Sequence, residues 1–87
     1  MSEFKVTKEA IEAKIVSKAF TNMPSGTVIV CELVLENGFS VRGEAGVVDP
    51  ANFVQAIGEQ YAYEDAFKKI WPLEGYLMKQ RMFEADR

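Results

Sequence analysis

Asp49-Pro50-Ala51-Asn52-Phe53 opens the stretch that decides the fold, and a helical pattern runs from there to Lys69-Ile70-Trp71-Pro72-Leu73-Glu74-Gly75-Tyr76-Leu77. Asp49 is a favourable N-cap, and Pro50 suits the first helical position because its missing N–H is not needed there. Pro72 cannot donate to the carbonyl four residues earlier, so it interrupts a helix. The stretch predicts a long C-terminal helical arm that is kinked or broken at Pro72.

The residues upstream of the arm predict a short helix followed by a small sheet. Thr7 can cap a helix of about two turns. Strand patterns then cover 14–21, 27–35 and 39–45, separated by the turn sequences of 22–26 and 36–38. Gly43 and Gly46 permit a bulge or a close backbone approach where the third strand ends. The predicted fold class is α+β, with a short N-terminal helix, a three-stranded antiparallel sheet and the helical arm.

Length and composition indicate one small domain over residues 1–87. A chain of 87 residues buries only roughly two thirds of the surface that its unfolded form exposes, so self-association would stabilise it. No apolar run approaches the ~20 residues of a membrane span, which predicts no membrane association. The N-terminus lacks the basic and apolar regions of a secretory signal. We therefore expect a cytoplasmic protein.

The residue inventory excludes most enzyme chemistry. The chain has no histidine, so histidine-based zinc sites, Ser-His-Asp triads and imidazole general bases cannot be built. The single Cys31 lies in an apolar run and is interpreted as a buried, inert thiol. Glu64, Asp65 and Glu74 are interpreted as charges on solvated helix faces. We predict no catalytic residue, no metal, no cofactor and no enzymatic activity, and the net charge of −3 argues against duplex nucleic-acid binding.

The helical arm carries two apolar stripes. The first should lie on the sheet and consists of Phe53, Ile57, Tyr61, Ala66, Ile70, Leu73 and Leu77. The second lies on a different face and consists of Tyr63, Phe67, Trp71 and Met78. A sheet of three strands cannot cover both stripes, so the second stripe is predicted to be an oligomer interface, with burial in the chain's own core as the alternative.

Four blocks of sequence resemble a family of small tailed-phage and prophage proteins. The blocks are 35–39, 48–53, 62–66 and 69–77, the last reading Lys-Ile-Trp-Pro-Leu-Glu-Gly-Tyr-Leu. The layout of strands followed by two helices is also similar to the Thoeris anti-defence protein of the first type, a phage sponge that sequesters cyclic ADP-ribose isomers and, in some members, cyclic nucleotides. The resemblance implies a homo-oligomeric, non-catalytic binder that acts in the cytoplasm of an infected bacterium.

The resemblance also implies roles for particular residues. Sponges of this type stack the base on an aromatic ring, hydrogen-bond it through an asparagine and hold the diphosphate with arginines. Asn52 matches the asparagine, and lysines stand where an arginine-rich helix is expected, although lysine lacks the bidentate fork. The expected ligand is an anionic, nucleotide-like small molecule, with Phe39 or a tyrosine stacking its base, Asn52 hydrogen-bonding to it, and Arg42, Lys69 or Arg81 neutralising its phosphate.

A second hypothesis comes from the surplus aromatic stripe. Aromatic side chains that one chain leaves uncovered can anchor a protein–protein interface. On this hypothesis the chain is an interaction module that inhibits a host or phage protein through its aromatic helical face.

Overall fold

The computed structural model describes residues 5–86, which form a three-stranded antiparallel sheet with helices. The elements follow in the order α1 (Lys8–Lys14), β1 (Ile15–Asn22), β2 (Val28–Leu35), β3 (Ser40–Gly46), a 3-10 helix (Pro50–Asn52), α2 (Gln55–Lys68) and α3 (Ile70–Ala85). The predicted α+β fold class is confirmed, and each strand lies within one residue of its predicted bounds.

The sheet has the order β1-β2-β3, with β2 in the centre and antiparallel to both neighbours. Alternate residues of β2 point to one face, where Ile29, Cys31 and Leu33 are fully buried. Leu35 N donates to Phe39 O at the second hairpin, and Gly38 has a φ of 90°, a conformation that favours glycine. The core therefore lies on the face of the sheet that carries the side chains of Ile29, Cys31 and Leu33.

α2 packs on that face through its smallest residues. Gly58, Ala62 and Ala66 recur at four-residue steps and are all buried. A Cβ atom at Gly43 of β3 would overlap the backbone nitrogen of Ala66 and would come within 2.5 Å of the Ala62 carbonyl oxygen. The backbones of β3 and α2 thus touch, and the close approach predicted at Gly43 is confirmed, against the middle of α2.

This close approach explains why the first apolar stripe was only partly correct. Ala66 and Ile70 are buried, as predicted, but Ile57 is 50% exposed and Tyr61 is 58% exposed. Large side chains at those positions could not lie between backbones that touch, so the helix turns its small residues towards the sheet instead. The prediction that Ile57 and Tyr61 cover the sheet was wrong.

The arm begins later than Asp49. The Asp49 side chain accepts a hydrogen bond from Ala51 N at 3.0 Å, so it is a cap, but it caps the 3-10 helix over Pro50–Asn52. Phe53 and Val54 then have extended backbone angles, and α2 begins at Gln55. The prediction that Asp49 is an N-cap is therefore confirmed, and the prediction that one long helix starts there was wrong.

The predicted break in the arm is present and lies at Lys69. This residue, with φ −75° and ψ −17°, separates the end of α2 from the start of α3. Pro72 is the third residue of α3, and the first four N–H groups of a helix have no partner within it, so the missing N–H is tolerated there. The break precedes Pro72 by three residues because Pro72 fits the first turn of the new helix.

α3 projects from the rest of the structure. Ile70 is fully buried and Glu74 forms an ion pair with Lys14 of α1, whereas Tyr76 and Phe83 further along are largely exposed. The radius of gyration is 16.1 Å, against about 12 Å for a compact domain of this length. No helix within residues 5–86 is long and apolar enough to cross a membrane.

Candidate functional site

A depression where β3 meets the helical arm contains three of the five predicted ligand-binding residues. We name it the junction depression; it has a volume of about 350 Å³ and is lined by Phe39, Ser40, Val41, Arg42, Lys69 and Leu73. Phe39 follows the hairpin turn, Arg42 lies on β3, and Lys69 is the residue between α2 and α3. The fold therefore brings one exposed aromatic ring and two cationic side chains together, in a volume within the range of small-molecule sites, about 300–1,000 Å³.

Both cations already have polar partners in this depression. Lys69 Nζ donates to the Arg42 carbonyl oxygen at 2.6 Å and lies 3.9 Å from Asp65 Oδ2. Arg42 Nη1 donates to Ser40 Oγ at 3.3 Å and lies 3.6 Å from Glu32 Oε2. The side chains of Arg42 and Lys69 are 63% and 52% exposed. Because exposed ion pairs contribute only about 0–1 kcal/mol, an anionic ligand can replace these carboxylates with little loss.

Asn52 lies in a separate apolar pocket at the other end of β3. This pocket has a volume of about 150 Å³ and is lined by Ala45, Gly46, Val47, Asn52, Phe53, Val54, Ile57, Gly58 and Tyr61. It shares no lining residue with the junction depression. Its volume is below the roughly 300 Å³ of typical small-molecule sites, so it could hold one ring or side chain rather than a whole nucleotide.

Arg81 is not brought to either of these cavities within one chain. It is exposed on the projecting half of α3 and lines neither the junction depression nor the apolar pocket. The five predicted ligand-binding residues are therefore divided among three places: Phe39, Arg42 and Lys69 together, Asn52 in the apolar pocket, and Arg81 on the arm.

The predicted interface stripe lies partly in the core and partly on the surface. Tyr63 and Phe67 have ring centroids 5.7 Å apart and pack against the core, with Phe67 buried. Trp71 remains 39% exposed, and Met78 is half-buried on α3. Tyr63, Phe67 and Trp71 line one groove together with Lys8, Glu64 and Lys68, which we name the aromatic groove. The exposed part of the stripe is thus centred on Trp71.

Asp65 has a structural task that sequence reasoning missed. Its Oδ2 accepts a hydrogen bond from Glu44 N of β3 at 3.0 Å, and its Oδ1 lies 3.0 Å from Lys68 Nζ. The backbone hydrogen bond, followed by the Lys68 contact, lowers the pKa of the Asp65 carboxyl group. The sequence signals were the three-residue spacing to Lys68 and the four-residue spacing to Lys69, which place these side chains next to Asp65 on one helix face.

Two further pKa shifts have burial as their first cause. Desolvation raises the pKa of the Cys31 thiol, with Lys18 acting in the opposite direction. Desolvation also raises the pKa of Tyr63, with smaller contributions from Glu12 and Cys31. The sequence interpretation of Cys31 as a buried thiol is confirmed, since its side chain is inaccessible and its thiolate form is disfavoured.

Comparison with known protein families gave a match over most of the chain. The model of a family described as "Phage protein (N4 Gp49/phage Sf6 gene 66)" matches residues 6–82. The match covers every strand, α2, the break at Lys69 and most of α3. Searches of curated proteins and of solved structures gave no match.

Proposed function

The chain belongs to the phage protein (N4 Gp49/phage Sf6 gene 66) family, and we propose that it binds and sequesters an anionic, nucleotide-like second messenger without turnover. The ligand class is a cyclic ADP-ribose isomer or a cyclic nucleotide, and the place of action is the cytoplasm of an infected bacterium. The phage family membership supports the setting. The ligand class rests on the chemistry of the junction depression and on the resemblance to the Thoeris anti-defence protein.

The convergence of Phe39, Arg42 and Lys69 is the observation that carries this proposal. Phe39 is exposed and can stack on a base, which contributes about 1–3 kcal/mol per base in proteins that bind single-stranded nucleic acids. Arg42 can donate two parallel hydrogen bonds to a phosphate, and Lys69 can add a point charge. Stacking and positive charge are the contacts that recognition of such a ligand needs, which fits binding without turnover.

Self-association is part of the proposal because the arm exposes apolar surface on its projecting half. Tyr76, Leu77 and Phe83 are all partly or largely exposed on this part of α3, and Trp71 is exposed in its first turn. Large apolar side chains that one chain leaves exposed can mark an interaction site. A second copy packed along α3 could also bring its Arg81 towards a ligand, which would account for a cation that one chain leaves outside both cavities.

The proposal is tested by a thermal-shift screen against cyclic nucleotides and cyclic ADP-ribose isomers, followed by calorimetry on any hit. A ligand at a hundredfold excess over its dissociation constant stabilises the folded state by about 2.7 kcal/mol. Arg42→Gln should weaken binding at least tenfold because it removes a charge-assisted contact worth about 1.5–3 kcal/mol.

Lys79→Ala is the matched control for this experiment. Lys79 is an exposed cation on α3 that lines neither the junction depression nor the apolar pocket, so its loss changes the net charge equally but should leave the affinity within twofold. No thermal shift with any of these ligands, or equal losses in the two variants, would contradict a specific site at Arg42.

The aromatic groove favours a second candidate function, that of a protein-interaction module which inhibits a host or phage protein. Its exposed Trp71 next to Lys8 and Lys68 suits an apolar segment flanked by acidic residues. Trp71→Ala should then abolish capture of the partner, whereas Arg42→Gln should not. A partner that binds both variants equally would exclude this groove.

A further inference from the structure

The two outer strands of the sheet differ in how their free edges are protected. Leu35 N donates to Phe39 O and Val47 N donates to Thr27 O, so the odd-numbered residues of β3 bond to β2 and the even-numbered ones face outward. Two of the outward groups are occupied by α2: Glu44 N donates to Asp65, and the Arg42 carbonyl accepts from Lys69. Side chains of α2 therefore block the β3 edge.

The β1 edge has no such protection among residues 5–86. Met23 N donates to Val28 O, which continues the register that pairs Asn22 with Ile29. Because hydrogen-bonded pairs alternate along an antiparallel ladder, the backbone groups of residues 17, 19 and 21 also bond to β2. The N–H and C=O groups of Lys18, Phe20 and Asn22 consequently face outward, and none of them has a hydrogen-bond partner within that range. Beyond the register irregularity between Ile15 and Ser17, these unpaired groups form a template for another strand.

We propose that β1 pairs antiparallel with β1 of a second copy across a two-fold axis at Phe20, which extends the sheet to six strands. In this register Phe20 pairs with its own counterpart, and Lys18 pairs with Asn22 of the other copy. All the outward N–H and C=O groups of these residues are then satisfied. The pairing goes beyond the proposed function and does not depend on it.

Charge favours a second copy over an unrelated strand in this place. Asn22 exchanges hydrogen bonds with Gln55, and Gln55 also donates to Glu59 at 2.9 Å. The register sets each Lys18 opposite this acidic group of the other copy. Lys18 is the only charged residue of β1, and its ammonium lies 5.1 Å from the Tyr63 ring centroid of its own chain. The β1 edge is thus self-complementary.

The side chains that meet on the opposite face are small enough for close pairing. Ala19 lies opposite Thr21 of the other copy in a pair that is not hydrogen-bonded, where Cα atoms are about 4.5 Å apart. Both residues are exposed in one chain. Strand pairing alone buries less than the roughly 1,000 Å² of a stable interface, so covalent capture is the appropriate measurement.

The test is disulfide formation under mild oxidation in the double variant Ala19→Cys/Thr21→Cys of the full chain. The spacing of 4.5 Å allows a disulfide, so a covalent dimer should appear on a non-reducing gel. Each single variant is a matched control, because identical positions in the two copies are diagonal neighbours about 7–8 Å apart and cannot be bridged. The buried Cys31 should not react.

A proline that removes an outward N–H distinguishes a disulfide formed through strand pairing from one formed by random collision of two chains. Lys18→Pro in the double-cysteine background removes an outward donor without removing a bond to β2, so the fold should persist by circular dichroism while the covalent dimer falls at least fivefold. Ser40→Pro makes the equivalent change on the β3 edge and should leave the yield unchanged. The pairing would be overturned if the double variant gave no covalent dimer, or if the single variants gave equal yields. The same results are expected if β1 instead accepts a segment of a different protein.

Discussion

Replacing Gly43 tests the contact on which the fold depends, the touching backbones of β3 and α2. A Cβ atom at this position overlaps the backbone nitrogen of Ala66 and the carbonyl oxygen of Ala62, neither of which can move by changing a rotamer. In Gly43→Ala the helix must therefore move away from the sheet as a unit. Overpacking of this kind lowers the free energy of unfolding by about 1–3 kcal/mol.

Urea denaturation measures this loss, and Gly75→Ala is the matched control. Within residues 5–86, nothing lies within 4 Å of a Cβ atom at Gly75, which is inside α3. Alanine there should therefore raise the free energy of unfolding by about 0.5–1 kcal/mol. With a slope of about 1 kcal/mol per molar urea, the midpoint of Gly43→Ala should fall by about 1 M or more. A Gly43→Ala midpoint equal to that of the wild type would refute the close approach.

Three further perturbations test the site and the arm. The lowered pKa of Asp65 means that its carboxylate stabilises the fold above the unfolded value of about 3.9 and loses this effect as pH falls through the folded pKa. The difference in unfolding free energy between the wild type and Asp65→Asn should thus shrink as the pH falls from 6 to 3, and Glu36→Gln is the control. A difference that grew towards pH 3 would contradict the stabilising role of the Asp65 carboxylate. Pro72→Ala supplies the N–H that the Lys68 carbonyl lacks, so circular dichroism should show a gain of about one helical residue, and a gain of a whole turn would contradict a break confined to Lys69. Trp71→Ala should lower the mass measured by light scattering at micromolar concentration, whereas Lys79→Ala should not, and a monomeric wild type would contradict self-association.

The strands and the break in the arm were predictable because their signals are local. The β-branched run of β2, the Asn37-Gly38 turn and Pro72 each act within a few residues of chain. The turn at Gly38 and the interruption before Pro72 are both present. Such features depend little on what the rest of the chain does.

The helix face that packs on the sheet was not predictable in the same way. Periodicity selected the large residues Ile57 and Tyr61, yet the glycine at position 43 requires Ala62 and Ala66 at the contact. Which small residues meet across two elements is a tertiary property that neither stretch shows alone. The same holds for Asp65, whose hydrogen bond to Glu44 joins residues 21 positions apart.

The sequence predicted candidate site residues but could not show which of them lie together. The resemblance led to Asn52, and the aromatic and cationic residues of the sequence led to Phe39, Arg42, Lys69 and Arg81. Only the fold shows that Phe39, Arg42 and Lys69 line one depression. Asn52 lies elsewhere because it follows the opposite end of β3, and Arg81 lies elsewhere because it is on the projecting half of α3, about three helical turns beyond Lys69.

The most direct test of sequestration is a depletion and recovery measurement with a cyclic ADP-ribose isomer. The protein is incubated with the ligand, free ligand is separated by filtration and quantified, and the protein is then denatured by heat. We predict that free ligand falls in proportion to the protein present, with Lys79→Ala equal to the wild type and Arg42→Gln depleting far less. Heat should return the ligand intact. Recovery of a cleaved nucleotide, or no depletion by the wild-type chain with any cyclic nucleotide or cyclic ADP-ribose isomer, would contradict the proposed function.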